Sequence, residues 1–231
     1  MIVEICANSF ESAQNAKLGG AHRIELCENL SVGGVTPSRE LIKMVIAEIG
    51  IETHVLIRPR GGDFVYSEKE LLQMLEDIQF CKDVGCKGVV SGVLTVEKHI
   101  DVLNTDRLIQ VARGMEFTFH RAIDVVVDPT SEIEKLKELG VNRLLSSGGE
   151  LSAKDGLENL IQFKNISEGK MEIMPGGGIN SGNVETFKLA GFTSVHLSAI
   201  PKSESPTSLF DQKVDGVSNL DEIKKVVQLL A

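Results

Sequence analysis

Short apolar runs recur along the chain, separated by longer segments whose apolar residues repeat every three to four positions. The runs read as eight strands: Ile2–Ala7, His22–Cys27, Thr53–Ile57, Gly88–Gly92, Glu116–His120, Arg143–Ser146, Met171–Met174 and Ser194–Leu197. Between them lie amphipathic helical patterns, such as the stripe Leu71, Leu75, Ile78, Cys81, Val84 and the final stripe Leu220, Ile223, Val227, Leu230. Gly19, Gly50, Gly85, Gly114, Gly140, Gly169 and Gly191 each stand where a helix is expected to end, at intervals of 22 to 35 residues. A left-handed glycine ends a helix without Cβ strain, so a repeating strand–helix unit of about 30 residues is expected. Pro37-Ser38 and Asp128-Pro129 have the chemistry of helix starts.

Strands alternating with helices imply a parallel sheet, and eight is the closure number of a (β/α)8 barrel, the TIM-barrel α/β class. An open doubly wound sheet is the alternative. It is disfavoured because Ala7-Asn8-Ser9 follows the first strand where a G-x-G-x-x-G turn would be expected. One domain over residues 1–231 is expected, with an irregular segment at 201–218 before the last helix. That segment and the turn Pro59–Tyr66 are long connections on the face after strand C-termini, where barrels keep their sites.

Within the strands the polar residues alternate with apolar ones. Glu4, Cys6 and Asn8 oppose Val3 and Ile5; Arg23, Glu25 and Cys27 oppose Ile24 and Leu26; His54, Leu56 and Arg58 oppose Val55 and Ile57. Thr118 and His120 oppose Phe117 and Phe119, and His196 and Ser198 oppose Val195 and Leu197. A strand sends alternate side chains to opposite faces, so the polar set is expected inside the barrel. Buried charges must be paired or ligate something. They build either a functional mouth or an interior salt-bridge network linking Glu4 and Glu25 to Arg23 and Arg58.

Composition narrows the partners. The 231 residues carry 24 Lys and Arg against 33 Asp and Glu, a net charge of −9, with nine Phe, one Tyr and no Trp. An acidic surface with few rings suits neither nucleic acid nor anionic membrane, and no run approaches a membrane span. Four cysteines are too few for a disulfide scaffold. Glu4 and Glu11 interrupt any leader-like pattern, so a cytoplasmic location with reduced thiols is expected.

The chain resembles the CutC family, named as copper homeostasis proteins. The resemblance lies in Glu25-Leu26-Cys27, Gly33-Gly34-Val35-Thr36-Pro37-Ser38, Arg58-Pro59-Arg60-Gly61-Gly62-Asp63-Phe64, Phe119-His120-Arg121-Ala122 with Asp124, Ser147-Gly148, and Val195-His196 with Ser198-Ala199. It spans residues 1 to about 200 in order, and Arg-Pro-Arg-Gly-Gly-Asp-Phe is its most specific motif. It implies a (β/α)8 barrel, a cytoplasmic location and an association with copper, with Cys6 and Cys27 as the copper-associated cysteines. Val65 stands where some members carry a further cysteine, which weakens a three-thiolate site.

Three chemistries are open. Cys6 and Cys27, at the ends of adjacent strands, could share Cu(I), which soft thiolates select in a reducing compartment; the alternatives are buried packing and a redox disulfide. Cys81 and Cys86 read as structural. Ser147, Gly148, Gly176, Gly177, Gly178 and Ser198 form a candidate anion site, using backbone amides of the later barrel loops. Glu25, Arg58, His120, Arg121 and His196 are the candidate catalytic groups, the histidines and Glu25 for proton transfer and the arginines for a carboxylate or phosphate. No lysine stands at a strand top, which disfavours a Schiff-base aldolase, and no Ser-His-Asp or zinc signature is legible. The expected function is Cu(I)-binding homeostasis; the alternative is a lyase or isomerase acting on a small anionic or phosphorylated metabolite. Expected partners are a copper ion or such a metabolite, with a homodimer or higher homo-oligomer as the assembly.

Overall fold

The computed structural model describes residues 1–201 and 216–231, so most of the irregular segment expected at 201–218 lies outside the described residues. The strands are β1 (Ile2–Ala7), β2 (Arg23–Leu26), β3 (Glu52–Leu56), β4 (Gly88–Ser91), β5 (Glu116–Phe119), β6 (Arg143–Ser146), β7 (Glu172–Pro175) and β8 (Ser194–Leu197). The helices are α1 (Phe10–Leu18), α2 (Arg39–Glu48), α3 (Glu68–Asp83), α4 (Val102–Val111), α5 (Pro129–Glu138), α6 (Leu157–Ser167), α7 (Val184–Leu189) and α8 (Leu220–Leu230). Expected and observed strands differ by a residue at several ends, which is where ladder hydrogen bonds give out.

All pairings are parallel, in the order β7-β6-β5-β4-β3-β2-β1-β8. A parallel bridge between Gly176 and His196 brings β7 against β8, so the sheet curls into a nearly closed (β/α)8 barrel. The apolar strand residues Val3, Ile5, Ile24, Leu26, Val55, Ile57, Phe117, Phe119, Val195 and Leu197 are buried in one cluster with Ile42, Leu71, Ile78 and Ile223 from the helices. The main core therefore lies between strands and helices. A smaller apolar cluster, Cys6, Cys27, Leu56 and Val90, belongs to the inward face.

Local chemistry explains the element ends. Asp128 caps α5 through Thr130 N–H, and Ser67 with Glu70 forms a reciprocal capping box at α3. Six of the seven expected helix-closing glycines have positive φ. Gly19 does not: it stays helical at φ −78°, and Gly20 takes the left-handed turn at φ +82°. Gly19 is needed for space instead, because a Cβ there would lie 2.4 Å from Ile223 Cγ2 on α8.

Glycines also make room inside the barrel. A Cβ on Gly88 would lie 2.6 Å from the His54 ring, one on Gly92 would lie 2.8 Å from the His120 ring, and one on Gly176 would lie 3.2 Å from His196 Cβ. Each interior histidine thus faces a glycine on the neighbouring strand or just beyond it. This is how a barrel of ordinary width holds imidazoles where branched apolar side chains usually sit.

Candidate functional site at the barrel mouth

A cavity of about 700 Å³ opens at the C-terminal ends of the strands. Cys6, Glu25, Arg58, His120, Arg121, Gly177, Gly178, His196 and Ser198 line it, together with Leu56, Phe64, Leu145 and Lys225. Cys27, Ser147, Gly148 and Gly176 are buried and absent from that lining.

On one side β1, β2 and β8 build a chain of charges. Arg23 Nε donates to Glu4, and Glu4 Oε1 lies 2.8 Å from His196 Nδ1. His196 Nε2 in turn lies 3.3 Å from Glu25 Oε2. Burial would neutralise the His196 ring, but hydrogen bonds to Cys6 and Glu4 and the charge of Glu25 hold its pKa well above the usual histidine value. Burial would likewise raise Glu4, yet the His196 hydrogen bond and the Arg23 charge keep it well below the usual carboxylate range. Glu25 has no arginine beside it, and burial pushes its carboxyl up to about 7. The expected salt-bridge network exists for Glu4, Arg23 and Glu25, but Arg58 is not part of it.

Arg58 instead clamps loops. Its Nη1 donates to Val32 O at 2.7 Å and Gly34 O at 2.8 Å, its Nη2 donates to Gly62 O at 2.8 Å, and its guanidinium lies over the Phe64 ring. These contacts draw the loops after β2 and β3 together around the Arg58 guanidinium.

Cys6 lines the cavity, and Cys27 lies buried behind it. The parallel register pairs Cys6 with Glu25, which places Cys27 two residues higher. The Cys6 and Cys27 sulfurs are nonetheless 3.6 Å apart, as unbonded thiols. The Cys27 hydrogen bond, then burial, push the Cys6 thiol well above its usual range, and only the His196 hydrogen bond pulls it down. Cys6, Glu25 and His196 each offer a ligand atom within 4.8 Å of the others.

On the other side, Asp124 organises the turn after β6. It accepts from Arg121 Nε at 2.8 Å, from the Ser146 and Ser147 hydroxyls, and from the Ser147 and Gly149 amides. The anion site expected at Ser147, Gly148 and Gly176 is therefore corrected. The Gly148 amide donates to Ser146 Oγ, and Gly176 N donates to Ser146 O within the sheet. Gly177 and Gly178 lie at the cavity with φ of +112° and +74°. Asp124 enters the sequence pattern only as part of the family resemblance; the signal for its organising role is its i,i+3 spacing from Arg121.

At the opposite barrel end a further group, Glu52, His54 and Glu116, comes together. Arg143 Nη2 already binds Glu116 at 2.8 Å there.

A nearly closed parallel barrel with its polar side chains inside defines the class. The chain belongs to the CutC family, whose model matches residues 1–201. It is 43% identical to a family protein CutC of Pasteurella multocida, over 86% of this chain and 82% of that one. It is also 43% identical to the human copper homeostasis protein cutC homolog, over 86% of this chain and 73% of that one. The crystal structure of CutC from Streptococcus agalactiae superposes with a TM-score of 0.81 at 32% identity, covering 86% of this chain and 98% of that one. The 3-hexulose-6-phosphate synthase of Salmonella typhimurium, at 20% identity and TM-score 0.66 over 100% of this chain and 98% of that one, shares the fold. Among the described residues no helix is long and apolar enough to cross a membrane.

Proposed function

We propose that the chain binds Cu(I) as cargo through Cys6 and Cys27. The observation that carries this reading is the 3.6 Å approach of two free sulfurs, that of Cys6 at the cavity wall and that of Cys27 buried behind it. The copper homeostasis names of the human and mouse relatives support it. Thiolate is the soft donor Cu(I) prefers, and a reducing, cytoplasmic setting would keep both sulfurs available. The separation is shorter than two metal–thiolate arms of about 2.3 Å laid end to end, taking zinc–sulfur bonds as a guide. Binding therefore requires the two side chains to open slightly or the angle at the metal to bend. The protonated His196 beside Cys6 supplies the positive charge that a second thiolate needs.

The test is an anaerobic Cu(I) titration against a competing chelator, comparing wild type with Cys6→Ser and Cys27→Ser. Loss of affinity in either variant is expected, with the fold intact by circular dichroism. Wild-type binding should tighten as pH rises, because the Cys6 thiol is held protonated and must release its proton to the solvent. Equal affinity in all three proteins would overturn the reading.

A further inference from the structure

The cavity has a second wall that copper does not explain. It is built from residues just beyond β5 and β7. Ala122 N–H donates to His120 Nδ1 at 3.2 Å, so the ring's proton belongs on Nε2. The His120 side chain is wedged against Phe64, with ring centroids 4.8 Å apart, and the residue is 5% exposed. Its Nε2 has no hydrogen-bond partner. A buried N–H donor costs free energy while unpaired, and because this atom is covered, a cavity ligand accepts from it only after a small shift of the His120 or Phe64 ring. Burial and the Arg58 charge hold this imidazole neutral, down to about 3, so it stays a one-proton donor at neutral pH.

Beside it, Arg121 is fixed by Asp124 and by Ser147 Oγ at 2.7 Å. Gly177 packs on that guanidinium: a Cβ there would lie 3.4 Å from Arg121 Cζ and 3.3 Å from Ser147 Cβ. Among the described residues neither the Gly177 nor the Gly178 amide donates a hydrogen bond. Two adjacent glycine amides with positive φ, beside a held guanidinium, suit an oxyanion. Because Asp124 already balances the Arg121 charge, the amides must supply much of the recognition.

We infer that this wall binds a small phosphorylated carbonyl compound, its phosphate on the Gly177 and Gly178 amides beside Arg121 and its carbonyl oxygen on Nε2–H of His120. The volume of about 700 Å³ is in the range of small-molecule sites. A neutral imidazole suits a carbonyl, whereas a cationic one would favour a second anion. This inference stands apart from the copper reading, since none of its groups is a proposed copper ligand.

The experiment measures binding of inorganic phosphate, glycerol 3-phosphate, dihydroxyacetone phosphate and pyruvate to the metal-free chain by phosphorus NMR and thermal shift. Saturable phosphate binding is expected at millimolar concentration, with dihydroxyacetone phosphate about tenfold tighter than glycerol 3-phosphate. His120→Phe should erase that preference while keeping phosphate affinity. His120→Asn, which can accept from Ala122 and still present an N–H, should restore part of it. Arg121→Gln, which removes the guanidinium charge and leaves Asp124 its serine and glycine donors, should weaken every phosphate compound alike. The inference is overturned if inorganic phosphate does not bind, if pyruvate binds as tightly as dihydroxyacetone phosphate, or if the carbonyl preference survives in His120→Phe. The copper titration is read separately, so either proposal can fail alone.

Discussion

His120 and His196 lie at the same end of one barrel, both buried, each with a glycine backbone where a neighbouring side chain would otherwise stand. Their charges are opposite. His196 sits between Glu4 and Glu25 and is held protonated, while His120 faces the Arg58 guanidinium across aromatic surface and is held neutral. Burial acts on both in the same direction, so the neighbours decide the difference. An interior imidazole takes the charge its flanking strands dictate: β1 and β2 place carboxylates beside β8, whereas β3 turns an arginine toward β5. The cavity consequently has a charged, thiol-bearing side and a neutral donor side, and the two suit different ligands.

The comparison breaks most easily at Glu4, which holds both Arg23 and His196. Glu4→Gln leaves Arg23 without its main buried partner and removes one of the two carboxylates that keep His196 protonated. Breaking a buried pair by removing one partner typically costs about 3–5 kcal/mol. Urea unfolding of the variant should show a loss of that order, and a loss below about 1 kcal/mol, the range of exposed pairs, would mean the network is not held together as described.

A somewhat smaller effect separates the walls by pH. Glu25 is raised to about 7, so the folded state holds a proton that the unfolded chain has released above its ordinary carboxyl range. Its contribution is fully present below about 4.5 and is lost as pH rises to about 7. His120 runs the other way. Its folded value of about 3 lies below the ordinary 6.5, so its contribution is complete above 6.5 and is lost as pH falls toward 3. Relative to wild type, Glu25→Gln should therefore gain on the order of 3 kcal/mol between pH 5 and pH 8. His120→Phe should gain relative to wild type as pH is lowered from 7 to 5. Parallel stability curves for wild type and variant would remove the assigned charge states.

Much of this architecture was legible from residue patterns. Strand alternation put Glu4, Glu25, His120 and His196 inside, because a period of two leaves no freedom once Val3, Ile5 and Phe119 are committed to the helices. Alternation says nothing about what each inward group meets. The engagement of Arg58 with Val32, Gly34 and Gly62 depends on loop paths, and the role of Asp124 depends on how the turns after β5 and β6 fold together. Two of the anion residues were misjudged for the same reason: Gly148 and Gly176 read as open turns, but one amide is held by a serine hydroxyl and the other belongs to the sheet. Gly19 looked like a left-handed cap, yet its small size matters through contact with Ile223, which lies far away in sequence.

The smallest expected effect tests the glycines that seat the histidines. Gly92 has no positive φ, so an alanine there meets no backbone strain and acts through volume alone. Its Cβ would lie 2.8 Å from His120 Cε1 and 2.9 Å from the edge of Phe119, and neither ring is the end of a flexible chain. Overpacking of this kind costs about 1–3 kcal/mol. Gly50 is the control. Its φ is +63° and nothing lies within 4 Å of its Cβ, so Gly50→Ala meets only backbone strain of order 1 kcal/mol. Gly92→Ala should therefore lose more stability in urea than Gly50→Ala, and the ring nitrogens of His120 should shift in NMR while those of His196 stay in place. Equal losses, or equal shifts at both histidines, would show that the two walls are not seated independently.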